Sequence, residues 1–422
     1  MRGPRTRAAQ VAAVTAAAGL VAAACGLGDR TSSGSGISGP TGDPIKVGVS
    51  LPLTGSFGDL GQATEKGYQL WASDVNNAGG LLGRPVKLVV RNDKSDPDTT
   101  ARDYRTLITA DHVDLTLAPF SSLLTIAAAP VAAKYGYVMT AGSSGAPGVY
   151  NLKLRTLFST TPPAALSLVP FANWVLSMPA GKRPTTAAYP AVDNPFTVPP
   201  LQTVQGMFER AGIKTVYSHA PYTNTSTAAI TADTQQVARA NAQVVLLGTV
   251  DLPTVSTFVN EFAKLGYNPR MLLATSGPDQ GQAFLDAVGM SDATGIMASG
   301  GWYANLPNAL SHVMVQNYIA KYGGRGSDIP SNVAEAYSAG EILADAVTAT
   351  ASLDQRKITS YLRKATLQTV VGPAKFGPYG QNELGLSFIS QWQPGGSYVQ
   401  VLPRHAAGSA ATILTSKPDW VG

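Results

Sequence analysis

The chain has 422 residues, 44% hydrophobic and 14% charged, with 31 Lys and Arg against 26 Asp and Glu for a formal charge of +5. This balance excludes a mostly disordered chain, and the length exceeds what a single core supports, so two lobes are expected. Arg2, Arg5 and Arg7 supply most of the excess, and from residue 25 onward the charge balances to +2 with no basic face interleaved with aromatics, which excludes a nucleic-acid role. Cys25 is the only cysteine, so an intramolecular disulfide is impossible. His112, His219, His312 and His405 are scattered, with no pair at metal-ligating spacing, and neither a metal site nor a cofactor is expected.

After the three arginines, an uncharged stretch from Ala8 to Ala24 is too short and too alanine-rich for a membrane span and fits a signal peptide. It ends Leu20-Val-Ala-Ala-Ala-Cys25, which resembles the lipobox of bacterial lipoproteins, although Ala22 stands where Leu or Val is usual. That resemblance implies a signal peptide over 1–24, diacylglyceryl modification of Cys25 and anchoring at the cell membrane from the extracytoplasmic side. Residues 25–43, with the Ser/Gly-rich run Thr31–Gly42, read as a flexible tether. Folding is expected to begin near Pro44.

From there short β-branched runs alternate with amphipathic stretches. Ile45–Leu51 reads as a strand, and Gly67, Leu70, Trp71, Val75 and Ala78 recur at helical spacing within a helix over 63–78 that Gly79-Gly80 stops. Strands follow at 86–90, 113–117 and 137–140, with helices at 98–110 and 122–134. This βαβ series predicts a parallel, doubly wound sheet. After Thr161-Pro-Pro163 the pattern restarts, with strands at 185–189, 215–217, 244–247, 271–274 and 296–299 separated by helices near 200–211, 227–241, 253–265 and 280–288. Long helices are predicted over 308–322 and 331–351, and a hairpin at 386–392 and 397–402 around Pro394-Gly-Gly396. The Ala/Ser/Thr-rich residues 404–422 read as a loose tail.

Enzyme motifs are largely missing. There is no P-loop and no G-x-G-x-x-G after a strand, and Gly142-Ser-Ser-Gly145 matches only half of a nucleophile elbow. Isolated acids such as Asp59, Asp93, Asp193 and Asp279 read as loop or cap residues, and no catalytic residue is expected.

Ile45-Lys-Val-Gly-Val-Ser-Leu-Pro-Leu-Thr-Gly-Ser56, then Gly61, Gly67 and Asp74-Val-Asn-Asn-Ala-Gly-Gly-Leu-Leu-Gly-Arg-Pro-Val-Lys-Leu88, resemble the opening of the leucine/isoleucine/valine-binding protein family. Asn92–Pro97, Ala118–Ser122, Val371–Phe376 and Gly380 fit the same family, so the likeness runs from about 44 to 402. It implies a type I periplasmic-binding fold: two α/β lobes joined by three crossovers, with a ligand cleft between them. Lobe one would be 44–162 plus 303–370, and lobe two 163–302 plus 371–403. It also implies a monomeric substrate-binding protein of an ABC importer, closing on its ligand and presenting the closed face to the permease subunits.

Ser121 and Ser122 stand where a strand ends and a helix begins, at the carboxyl edge of a parallel sheet, where free N–H groups and the helix dipole favour an anion. They would cap the helix, bind ligand, or do both. By resemblance Ser122 matches the family serine that holds a ligand carboxylate, and Ser143, Ser144 and Gly145 fall on the loop of further contacts. Phe57 and Leu60 lie on the loop after the first strand and need covering, by a ligand or by the second lobe. From lobe two, Phe196, Val250, Ser276, Asp279 and Trp302 are the cleft candidates. Amino-acid binders of the family carry an acid where this chain has Ser276. An amino acid therefore remains the family expectation, while a hydrophobic or aromatic carboxylate, or another small neutral molecule, fits the residues nearly as well. The alternative to an importer component is a ligand-sensing receptor that uses the same closure to regulate a membrane partner.

Overall fold

The computed structural model describes residues 39–218, 226–404 and 412–421. Cys25, the signal stretch, most of the tether, His219 and His405 lie outside the described residues. Gly39–Gly422 cluster as one compact unit.

The first lobe is built from β1 (Ile45–Leu51), α1 (Gly58–Asn77), β2 (Val86–Asn92), α2 (Pro97–Thr109), β3 (Leu115–Leu117), α3 (Ser122–Lys134), β4 (Met139–Ala141), α4 (Pro147–Asn151) and β5 (Leu157–Ser159). Its sheet runs β2-β1-β3-β4-β5 with every pair parallel. Six of the seven residues of β1 are buried, as expected for a strand covered on both faces. Val47, Val49, Leu115 and Leu117 meet Trp71 of α1 in its core.

The second lobe contains α5 (Val169–Leu176), β6 (Thr186–Tyr189), α6 (Val198–Arg210), β7 (Lys214–Ser218), α7 (Thr227–Ala240), β8 (Val244–Leu247), α8 (Leu252–Lys264), β9 (Met271–Ala274), α9 (Gln282–Val288), α10 (Met290–Ala293) and β10 (Met297–Gly300). The chain then returns to the first lobe through α11 (Ala309–Tyr322), α12 (Ser331–Thr350), α13 (Gln355–Leu362), β11 (Thr366–Thr369) and β12 (Gly372–Lys375). It ends in the second lobe with β13 (Phe388–Gln393) and β14 (Ser397–Leu402). The second sheet runs β14-β13-β10-β9-β8-β6-β7. It is parallel except at β13 and β14, which join antiparallel, so the predicted hairpin forms one edge of a mixed sheet.

Helix starts follow from local chemistry. The Asp96 carboxylate accepts from the Thr99 N–H at 2.7 Å ahead of Pro97, and Asp251 does the same for Thr254 at 2.7 Å ahead of Leu252-Pro253. Helix α12 lies against α1, with Ala336, Ala339, Ile342 and Leu343 in the lobe-one core and Gly340 beneath the Trp71 ring.

Two segments differ from the sequence reading. Residues 371–376, assigned above to lobe two, stay with lobe one: β12 pairs with β11, and Ala374 and Phe376 join the core around Val47 and Phe158. Their alternate residues are apolar and find the lobe-one core before the chain crosses. The described part of the expected loose tail is docked on lobe two. Ile413 is buried among Val244, Met271 and Ile389, the Lys417 N–H donates to the Arg270 carbonyl at 2.8 Å, and the Trp420 indole donates to the Tyr267 carbonyl at 2.9 Å.

Candidate ligand cleft

Between the lobes, at the carboxyl ends of the parallel strands, lies a cavity of about 90 Å³. Lobe one contributes Phe120, Ser121 and Ser122 at the start of α3, Ser143 and Gly145 after β4, and Ser331, Asn332 and Glu335 of α12, while Thr161, Pro162, Ala164 and Ser167 come from the first crossover. Lobe two contributes Phe196, Val250, Thr275, Ser276, Asp279, Ser299, Gly300 and Gly301, and Ser387 comes from the last crossover. The wall is thus rich in hydroxyls with an apolar side, and it holds two carboxyls. No Lys, Arg or His occurs among its described residues.

The start of α3 is the most donor-rich part. Ser121 occupies the N-cap position with no side-chain cap bond, its carbonyl accepts from Thr125 N–H at 2.8 Å, and its hydroxyl is buried without a hydrogen-bond partner. The first N–H groups of a helix have no partner within it, so an anion at the start of α3 gains those donors and the dipole. Ser122 is engaged instead: its Oγ accepts from Ala146 N–H at 3.2 Å, which ties α3 to the loop after β4.

Across the cleft, Asp279 is held by Gly277 N–H at 2.8 Å and Ser276 Oγ at 3.4 Å on Oδ1, and by Ser331 Oγ at 2.7 Å on Oδ2. The last bond joins the two lobes, as does Gln280 Nε2 donating to Asn332 Oδ1 at 3.3 Å. Glu335 accepts a hydrogen bond from the Ser143 hydroxyl. Burial pushes the Glu335 carboxyl up to about 7 and the nearby Asp279 adds to the rise, against the lowering effect of Ser143.

Of the residues singled out in the sequence, Ser121, Ser122, Ser143, Gly145, Phe196, Val250, Ser276 and Asp279 converge on this one cavity. Four do not line it. Ser144 turns away and shares a hydrogen bond with Thr125 Oγ1 at 2.7 Å, which fastens its loop to α3. Phe57 and Leu60 are covered by the second lobe: they form an apolar plug with Phe120, Leu124 and Val250, in which the Phe57 and Phe120 rings meet edge to face at 5.9 Å. Trp302 donates its indole N–H to Ser311 Oγ at 2.8 Å and packs with Tyr303, Leu306 and Met314 beside the cleft. Glu335 escaped the sequence reading. Its signal was an acid in a run of small residues, Ser331-Asn-Val-Ala-Glu-Ala-Tyr-Ser338, with no basic residue three or four positions away.

Two α/β lobes closed over a polar cavity at their strand ends define a ligand-binding protein of the hinged, two-lobed class. The family described as periplasmic binding protein matches residues 44–397, and the chain belongs to it. The Leu/Ile/Val-binding protein homolog 8 of Brucella abortus (strain 2308) is 26% identical over 377 residues, covering 86% of this chain and 91% of its own. The fold is shared with LivJ from Streptococcus pneumoniae in complex with isoleucine (TM-score 0.70, 18% identity, 85% of this chain and 100% of that one). It is shared equally with a solute-binding protein of an R. palustris ABC transporter in complex with benzoate (TM-score 0.72, 17% identity, 85% and 96%). No helix among the described residues is long and apolar enough to cross a membrane.

Proposed function

We propose that this chain is the extracytoplasmic solute-binding component of an ABC importer, held at the membrane by a lipid on Cys25, and that it carries a small carboxylate-bearing solute by closing its lobes around it. The observation that supports this most is the unpartnered Ser121 hydroxyl at the N-terminus of α3, buried in the wall of an interlobe cavity. A buried donor without a partner is costly, and a ligand carboxylate would relieve that cost. The complexes of similar folds with isoleucine and with benzoate frame two solute classes, amino acids and aromatic acids. In this reading Phe120, Phe196 and Val250 face the apolar part of the solute.

Two experiments test the proposal. Thermal shift of the purified protein against amino acids and against aliphatic and aromatic carboxylates should reveal a stabilising solute, since a ligand at 100 times its Kd adds about 2.7 kcal/mol. Cys25→Ser should release the protein from membranes and, like deletion of the gene, lower uptake of that solute. Unchanged uptake on deletion would contradict the importer role.

A further inference from the structure

We propose that the floor of lobe one, the sheet edge opposite the cleft, is a docking surface for the anionic headgroups of the membrane, with α13 as its basic face. It adds an electrostatic contact to the lipid attachment proposed at Cys25.

Every strand pair of the lobe-one sheet is parallel, so the N-terminal strand ends share one edge and the cleft lies at the other. Helix α13 lies across that N-terminal edge. At its start the Gln355 side chain accepts from the Val138 N–H at 2.8 Å and donates to the Asp114 carbonyl at 2.9 Å, just ahead of β4 and β3. At its far end Arg363 donates to the Arg155 carbonyl at 3.0 Å, ahead of β5. Ile358 and Leu362 turn inward and join the lobe-one core. The outward face carries Arg356, Lys357, Ser360 and Lys364, all exposed, and the exposed Lys153 and Arg155 extend it toward β5.

From residue 25 onward the chain carries only +2 in all, so these cations are segregated on one face rather than spread evenly. The acids beside α13 are engaged. Asp354 caps the helix through the N–H groups of Arg356 and Lys357 at 2.9 and 3.0 Å, Asp114 accepts from the Lys46 N–H at 2.8 Å, and Asp111 pairs with Arg91 at 2.8 Å. Burial and the nearby Arg155 charge both pull the Arg363 guanidinium below its ordinary value, a crowding that a covering anion would relieve. Tyr135, ahead of β4, and Tyr379, next to the Pro378 carbonyl that accepts from Arg363, flank the helix and are each 39% exposed. Long cationic side chains with tyrosines at their margins suit the boundary of an anionic bilayer.

The chain also enters the fold at this edge. Thr41 N–H donates to the Gly83 carbonyl at 2.9 Å and Arg84 Nε to the Asp43 carbonyl at 2.8 Å, ahead of β2. Residues 25–38 reach at most about 50 Å, so a lipid on Cys25 would keep the floor close to the headgroups. Seated on its floor, lobe one turns the cleft, at the opposite strand ends, away from the bilayer.

The test is co-sedimentation of the purified full chain with vesicles of phosphatidylcholine alone or with 30% phosphatidylglycerol. All proteins carry Cys25→Ser, so that no acyl chain contributes. Each Lys or Arg near an anionic surface adds roughly fivefold to partition. A floor variant combining Lys153→Gln, Arg155→Gln, Arg356→Gln and Lys357→Gln should therefore bind the anionic vesicles at least tenfold more weakly. A control combining Arg210→Gln, Lys214→Gln, Arg239→Gln and Lys264→Gln removes the same charge from lobe two and should bind like the parent. Raising the salt from 0.1 to 0.5 M should narrow the gap between floor variant and parent. The substituted side chains are exposed, and unchanged thermal midpoints would show that both variants fold. A floor variant that binds like the parent, or two variants weakened equally, would overturn the proposal. If that same floor variant were instead lost from native membranes, the face would belong to an acidic protein surface and the lipid assignment would fall.

Discussion

Two adjacent serines in the cleft wall should respond to mutation in opposite ways. Ser121 has a buried hydroxyl with no partner, so Ser121→Ala removes an unsatisfied group and should leave the free protein as stable as before or slightly more so. The same change removes a charge-assisted donor to a ligand carboxylate, worth about 1.5–3 kcal/mol, or roughly 10- to 150-fold in Kd. Ser122→Ala instead strands the Ala146 N–H, which has the Ser122 Oγ as its acceptor at 3.2 Å in a site where both residues are buried. An orphaned buried N–H costs about 1–3 kcal/mol, so S122A should lower the denaturation midpoint of the free protein. Chemical denaturation without ligand and calorimetric titration with the solute found by thermal shift separate the two effects. A S121A variant that binds like the wild type, or that loses more stability than S122A, would refute the reasoning.

Other consequences follow from packing and titration. Helix interiors normally gain from Gly→Ala, but a Cβ at Gly340 would run into the Trp71 ring that α1 buries there, so Gly340→Ala should destabilise by about 1–3 kcal/mol and shift the urea midpoint downward. Burial raises Glu335 to about 7 and Glu341 to about 8. The folded state therefore binds more protons than the unfolded state between the ordinary carboxylate range and those values. The stability these groups contribute is present at pH 5 and lost as pH rises toward 8. Urea midpoints of the free protein should fall over that interval, and Glu341→Gln, which keeps an acceptor for the Val370 N–H, should flatten the decline; a midpoint that rises from pH 5 to 8 would contradict it. Val250 is the lobe-two member of the apolar plug with Phe57, Leu60 and Phe120. Val250→Ser should weaken solute affinity about tenfold through lost burial between the lobes, with far-UV denaturation little changed and a larger radius of gyration by small-angle scattering.

What the sequence disclosed was whatever depends on neighbours along the chain. The apolar run of β1, the helical stretches that became α2 and α8 and the long periodic stretch of α12 are local signals, and the corresponding elements lie within a few residues of where they were expected. Ser121 and Ser122 were legible because a strand end followed by a helix start is itself a local pattern. Shorter elements were not: β5 is three residues long, and α5, Val-Pro-Phe-Ala-Asn-Trp-Val-Leu, is apolar nearly all round and shows no face. The direction of a loop side chain also stays hidden, since Ser143 reaches Glu335 while its neighbour Ser144 reaches Thr125. Glu335 was missed because its meaning comes from Ser143 and Asp279, which lie 192 residues before it in one case and on the other lobe in the other. The tail misled through composition: Ile413, Lys417 and Trp420 dock it although most of its residues are small and polar.

The central claim is that the interlobe cavity at the start of α3 binds the transported solute by its carboxylate. The most direct measurement is calorimetric titration of wild type and S121A with the acid that most raises the thermal midpoint. The account predicts a single site per chain in the wild type and affinity at least tenfold weaker in S121A, with no loss of stability in the variant. Equal affinities in the two proteins would place the solute elsewhere and contradict the account.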